Sequence, residues 1–293
     1  MATALVTGGT SGIGAEFARA LAAEGHDIVL VARDRARLDE TAAALHAASG
    51  IHVEVLPADL SVRADVLRVA KRIGDTEKPV EFLINNAGFG VHSSLLSEDT
   101  SVHEHAFDVM VRAVLILGSS AGRAMRSRGH GTIINVASVA GHLTMGSYSA
   151  IKGWVASYSQ GLAVELRGTG VTVTALEPGW VRTEFHSRAG IRTGSIPGIM
   201  WIDAEPLVRV ALRDARRGKV VSIPSLRYKA VTWFVRHAPR GVVRSISAAI
   251  SSSRREDAKH EDSEHEDSVH EESEQTAVLA DPNHSVGTSG QGS

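Results

Sequence analysis

The chain has 293 residues, no cysteine, 43% hydrophobic and 22% charged residues, and a formal net charge of -2. That length and apolar content can build a sizeable core, while the absence of cysteine excludes disulfide support and thiolate metal sites. The first residues carry neither the basic nor the apolar region of a secretory signal, and no run of about 18 apolar residues offers to span a bilayer, so a soluble cytoplasmic protein is expected.

Along the chain, short β-branched apolar runs at 3–7, 27–32, 51–56, 80–84, 131–136, 171–176 and 219–223 alternate with helical patterns near 12–24, 35–48, 61–73, 99–127, 148–167 and 203–217. Strands separated by helices need right-handed crossovers and predict a parallel sheet wound on both faces. The expected fold is therefore α/β: one Rossmann-type doubly wound domain over residues 1–225, with ligands at the carboxyl ends of its strands.

The first strand runs into Thr7-Gly8-Gly9-Thr10-Ser11-Gly12-Ile13-Gly14. Glycines at 8, 12 and 14 allow a tight turn, a close approach to phosphate and close packing of helix on strand, and a pyrophosphate then sits on the helix N-terminus. The position after a strand, at the start of a helix, distinguishes this loop from a merely structural turn. The second strand ends in Ala32 and Arg33, where an acidic side chain would hold the ribose 2′-hydroxyl of NAD. A guanidinium there can pair with a 2′-phosphate, so NADP(H) is preferred over NAD(H). The competing reading gives Asp34 to the ribose and leaves Arg33 as a solvated charge. Asp59, followed by Leu60, can accept from an adenine amino group or cap a helix beginning at Ser61. Asn85, Asn86, Ala87 and Gly88 end the fourth strand.

Tyr148 and Lys152 are four apart on one helix, so both side chains emerge on the same face. A phenol with a pKa of about 10 is a poor base at neutral pH, but a neighbouring ammonium favours phenolate. Tyr148 can then give a proton to a ketone oxygen or take one from an alcohol. Ser138, at the end of the fifth strand, can donate to the same oxygen.

With TGGTSGIG at 7–14, NNAG at 85–88, Ser138, the Tyr148-Ser149-Ala150-Ile151-Lys152 run and Pro178-Gly179, the chain resembles the short-chain dehydrogenase/reductase family over roughly residues 1–225. Within that family it looks like the NADP(H)-using reductases of ketones and 3-oxoacyl chains. The resemblance implies a catalytic set of Ser138, Tyr148 and Lys152, with Lys152 also holding the nicotinamide ribose. It implies cofactor contacts from the glycine loop, Arg33, Asp59, Leu60, Asn86, Ala87, Gly88, Tyr148 and Lys152. Pro178, Gly179, Val181 and Thr183 would meet the nicotinamide carboxamide and pyrophosphate. A homodimer or homotetramer acting on a small-molecule carbonyl or alcohol is also expected from it.

Two departures stand out. Family members usually carry an Asn in the helix after NNAG, and here the equivalent position is Met110, with Asp108 as the alternative if the register shifts. Only nine residues separate Ser138 from Tyr148, where many relatives have about a dozen. His142, Leu143 and Met145 fall in that shortened interval and are expected to shape the pocket. Residues 184–202 mix glycines with Ile191, Ile196, Ile199, Met200 and Trp201, and read either as a lid over an apolar or acyl substrate or as an ordinary apolar connection. Met110 also supports a second reading from another class: a nucleotide-binding regulatory or scaffold protein with reduced catalysis.

Charge is divided unevenly. Residues 254–293 hold 11 acidic and 3 basic residues, a net -8, against 22 and 28 in the body, a net +6. Residues 205–253 carry ten Lys and Arg among apolar groups and read as a basic amphipathic helical extension over 226–253. Its basic face either pairs with the acidic tail or makes a weak peripheral contact with an anionic membrane. The tail, with a five-residue period beginning at His260, His265 and His270, is expected to be disordered, and no metal site is assigned to it. Nothing in the chain resembles a nucleic-acid motif.

Overall fold

Apolar runs with side chains buried on both faces pair side by side into one parallel sheet, because neither face can be left to water. The structure, a computed structural model, describes residues 2–91, 93–183, 198–245, 247 and 248. Met1–Arg244 form one compact unit and Ser245–Ser293 a second. In the first unit the order is β1 (Thr3–Thr7), α1 (Gly12–Ala23), β2 (Asp27–Ala32), α2 (Arg35–Ser49), β3 (Val53–Pro57), α3 (Arg63–Ile73), β4 (Val80–Asn85), α4 (Ser101–Phe107), α5 (Ala113–Arg128), β5 (Gly131–Val136), α6 (Gly146–Glu165), β6 (Val171–Leu176), β7 (Trp180–Val181), β8 (Trp201–Ile202), α7 (Ala204–Arg216), β9 (Val221–Ser222) and α8 (Leu226–His237).

Seven strands lie in the order β3-β2-β1-β4-β5-β6-β9, and every neighbouring pair is parallel. The winding reverses between β1 and β4, and the crevice beyond the carboxyl ends of these two strands is where such a sheet takes a ligand. Alternation sorts the core by face. Ala4, Val6, Ile28, Leu30 and Ile134 pack with Phe17, Leu21, Leu38, Leu207 and Leu212 of α1, α2 and α7. Leu5, Val29, Val31 and Ile133 pack on the other face with Val66, Ile73, Leu117 and Met125 of α3 and α5.

The doubly wound sheet matches the expectation, and the differences are local. The helix expected at 99–127 is α4, then a π turn over Asp108–Arg112, then α5. A π turn admits an extra residue without breaking the helix, and periodicity does not reveal it. Helix α3 begins at Arg63 rather than Ser61, because Asp59 holds Ser61 in a turn through its N–H and hydroxyl at 2.8 and 2.7 Å. The strand expected at 219–223 shortens to Val221–Ser222. Helix α8 belongs to the first unit. The acidic tail, and residues 184–197 of the apolar segment, lie outside the described residues; Gly198–Met200 form a single helical turn, and β8 then pairs with β7.

Candidate active site

The chain leaves β1 at Thr7 and enters α1 through Gly8 and Gly12, with φ of +64° and +54°, a conformation that L side chains avoid. Gly14 is small for a different reason: a Cβ there would lie 2.2 Å from the Gly8 carbonyl oxygen and 2.4 Å from Asn86 Nδ2. Asn86 closes the loop, with Nδ2 donating to the Thr7 and Gly8 carbonyls at 3.0 and 3.2 Å. The Asn86 and Ala87 N–H groups donate to Thr7 Oγ1 at 2.9 and 3.1 Å. Thr10 and Ser11 are partly exposed, and Ile13 packs back onto the core. The Ser11 side chain does not cap α1, an arrangement in which backbone N–H groups and the helix dipole can receive a phosphate. This cradle fits a dinucleotide pyrophosphate.

Arg33 is exposed at the end of β2. Asp34 is engaged elsewhere: as the N-cap of α2 it accepts from the Arg37 N–H at 3.1 Å, which stabilises that helix by about 1 kcal/mol. Burial works against ionisation of Asp59, but the Ser61 hydrogen bonds and the charges of Arg33 and His105 outweigh it and hold the carboxyl below its usual range. Arg33 and Asp59 are thus close enough to interact, at the carboxyl ends of neighbouring strands, and buried Leu60 follows.

The candidate catalytic residues gather at the end of β5. Ser138 is buried; its Oγ accepts from the Ala140 N–H at 3.1 Å and donates to the Pro178 carbonyl at 3.4 Å. The turn that follows, Val139–His142, rests directly on α6, since a Cβ on Gly141 would come within 2.7 Å of the Gly153 N. Lys152 is 5% exposed, and its Nζ donates to the Val136 carbonyl at 2.8 Å while lying 5.7 Å from the Tyr148 ring centroid. Burial lowers its pKa from 10.5 to about 8.

Met110 faces this group. A Cβ on Gly88 would stand 2.9 Å from Met110 Sδ and 3.7 Å from Lys152 Nζ. Asp108 instead pairs with Arg112 at 2.6 Å, so the thioether, not the carboxylate, borders the lysine. Met110, Val111 and Ile151 form an apolar cluster against which Phe89, Val91, Trp154 and Tyr148 pack.

The segment after β6 crosses back over the glycine loop. A Cβ on Gly12 would be 3.2 Å from Thr183 Cβ, and Val181 is buried. Gly179 carries no side chain because the Tyr228 ring occupies that space, 1.9 Å from where a Cβ would sit. Tyr228 Oη accepts from the Trp180 N–H at 3.0 Å and donates to the Met200 carbonyl at 2.7 Å.

Several supporting contacts here have no motif behind them. Tyr228 belongs to a helix expected to lie outside the catalytic domain. His142 Nε2 donates to the buried Glu177 carboxylate at 2.8 Å, tying the turn after Ser138 to the residue before Pro178. Asn85 Nδ2 donates to Asn135 Oδ1, and Asn135 Nδ2 to Ser159 Oγ, both at 2.9 Å, which joins the ends of β4 and β5 to α6. An amide inside an apolar strand, such as Asn135, or an acid just beyond one, such as Glu177, is the available signal, because a buried polar group needs a partner.

Comparison with known proteins agrees with this geometry. The short chain dehydrogenase family model matches residues 2–192. Galactitol 2-dehydrogenase (L-tagatose-forming) of Cereibacter sphaeroides is 34% identical over 213 residues, 71% of this chain and 82% of that protein. A short-chain dehydrogenase from Sphingobium yanoikuyae, solved in complex with NADPH, aligns with TM-score 0.73 and 37% identity over 79% of this chain and 92% of its own. The bulky-bulky ketone specific alcohol dehydrogenase from Comamonas testosteroni aligns with TM-score 0.70 and 32% identity over 79% and 90%. With the family match spanning the glycine loop, the Ser138 turn and the Tyr148–Lys152 helix, the chain belongs to the short-chain dehydrogenase family and is an NAD(P)-dependent oxidoreductase.

Proposed function

We propose that the enzyme is an NADP(H)-dependent reductase of ketones on apolar or acyl-chain substrates, forming secondary alcohols with Tyr148 as the proton donor. The observation that carries this reading is the buried Lys152 ammonium beside Tyr148, with Ser138 at the end of the strand whose Val136 carbonyl holds it. The reduced nicotinamide supplies a hydride when bound. Tyr148 gives its hydroxyl proton to the ketone oxygen, and the Lys152 charge stabilises the phenolate left behind. Ser138 Oγ exchanges its long 3.4 Å bond to Pro178 for a stronger one to the oxygen on which charge develops.

Preference for NADP(H) is supported by Ala32 and the exposed Arg33, with Asp34 occupied at its helix cap. The relative bound to NADPH points the same way. The apolar cluster beside Tyr148 supports a bulky or acyl ketone over a sugar, in line with the ketone named for the Comamonas relative. Assembly as a homodimer or homotetramer is supported by the exposed Phe107, Leu115 and Val164 on α4, α5 and α6, and light scattering reads it directly. The test of function is oxidation of NADPH and of NADH over aryl ketones, 3-oxoacyl thioesters and ketoses. Turnover with NADPH on the first two classes is expected; turnover confined to ketoses, or to NADH, contradicts the proposal.

A further inference from the structure

Helix α8 buries little of itself. Of its twelve residues Tyr228 and Thr232 are buried, while Leu226, Trp233 and Phe234 are 81%, 64% and 52% exposed. Helical spacing sets Leu226, Ala230, Trp233 and His237 in one outward line, with Phe234 beside it, opposite the face that holds Tyr228 and Thr232. Arg227 flanks this ridge on one side, Lys229 and Arg236 on the other, and all three are exposed. The Trp233 ring is already set, stacked on His237 at 4.7 Å between centroids. Beyond the helix Arg240, Val242 and Arg244 are also exposed, and between Asp214 and Glu256 the sequence carries ten Lys and Arg and no acid.

An apolar ridge bordered on both sides by cations on long stems matches the boundary between headgroups and acyl chains. The rings enter the interface while the guanidinium and ammonium groups reach lipid phosphates. A second copy of the chain fits less well, since a two-fold contact through this face brings its cations together with no acid on the face itself to answer them. Tyr228 fixes the inner face to Trp180 and Met200, so the ridge is presented on the body of the enzyme. We propose that the outer face of α8 docks the protein on an anionic lipid bilayer. No helix among the described residues is long and apolar enough to cross a membrane, and docking of this kind is peripheral.

The test is flotation of the full chain with phosphatidylcholine vesicles, with and without phosphatidylglycerol. Binding is expected with the anionic vesicles alone and should fall as salt is raised. The triple variant Arg227→Gln, Lys229→Gln, Arg236→Gln should weaken it by on the order of 100-fold, and Trp233→Ala with Phe234→Ala by on the order of tenfold. Both variants should keep the wild-type melting temperature, mass and NADPH binding. Wild-type binding that ignores lipid charge or salt overturns the proposal, as does flotation unchanged in both variants. A fall in solution mass of the aromatic variant with flotation unaltered would overturn it too, by making this face a contact between copies. None of these readouts requires turnover, so they stand apart from the assignment of the reaction.

Discussion

Replacing Lys152 by Met separates what the lysine does for chemistry from what its burial does to the fold. Burial takes the folded-state pKa from 10.5 to about 8, whereas the unfolded chain keeps the ordinary value. Below pH 8 both states are charged and the full penalty of burying an ammonium is present. Between about pH 8 and 10.5 the unfolded state holds a proton that the folded state has released, so stability rises with pH through that window. From about pH 7 to about pH 9.5 the rise amounts to about 2 kcal/mol. Met has no titration, and the Val136 carbonyl it leaves unpaired shifts stability by an amount independent of pH. Urea unfolding of the ligand-free wild type and Lys152→Met at both pH values should therefore show their difference moving by about 2 kcal/mol in favour of the wild type, with unchanged m-values. The variant should lose turnover and bind NADPH more weakly. A difference that stays flat across the window would show that Lys152 keeps its ordinary pKa in the folded protein, so that burial does not depress it.

Other substitutions probe the remaining parts. Arg33→Asp should invert the preference for NADPH over NADH in titrations of each cofactor; wild-type protein that already binds NADH equally well would remove Arg33 from the site. Met110→Asn places an amide beside Lys152 Nζ and should raise turnover where proton delivery limits the rate. As a polar group introduced among Val111 and Ile151, it should also lower stability by about 1–3 kcal/mol in urea unfolding. Gly179→Ala forces a methyl into the Tyr228 ring and should lower stability by about 1–3 kcal/mol or more, with weaker cofactor binding by thermal shift.

Strand–helix alternation made the sheet legible, and the glycine loop was legible because Gly8, Gly12 and Gly14 sit where a strand becomes a helix. Tyr148 and Lys152 share a face by spacing alone. The rest depends on contacts between distant residues. Tyr228 fills the space beside Gly179 from a helix whose exposed face carries a basic amphipathic pattern, so its inner face gave no separate signal. The π turn at Asp108–Arg112 keeps helical periodicity, and only the approach of Met110 to Gly88 and Lys152 decides between Met110 and Asp108. From the sequence His142 is expected to shape the pocket, but its pairing with Glu177 at 2.8 Å has no signal there.

Hydride transfer in Tyr148→Phe tests the central claim most directly. The phenyl ring keeps the packing against Ile151 and Met110 and removes only the hydroxyl, so NADPH affinity should hold. In a single turnover with saturating NADPH and a reducible ketone, the rate of nicotinamide oxidation should fall by at least about a hundredfold, the lower end of what a positioned general acid contributes. Oxidation at the wild-type rate would contradict the assignment of Tyr148 as the proton donor.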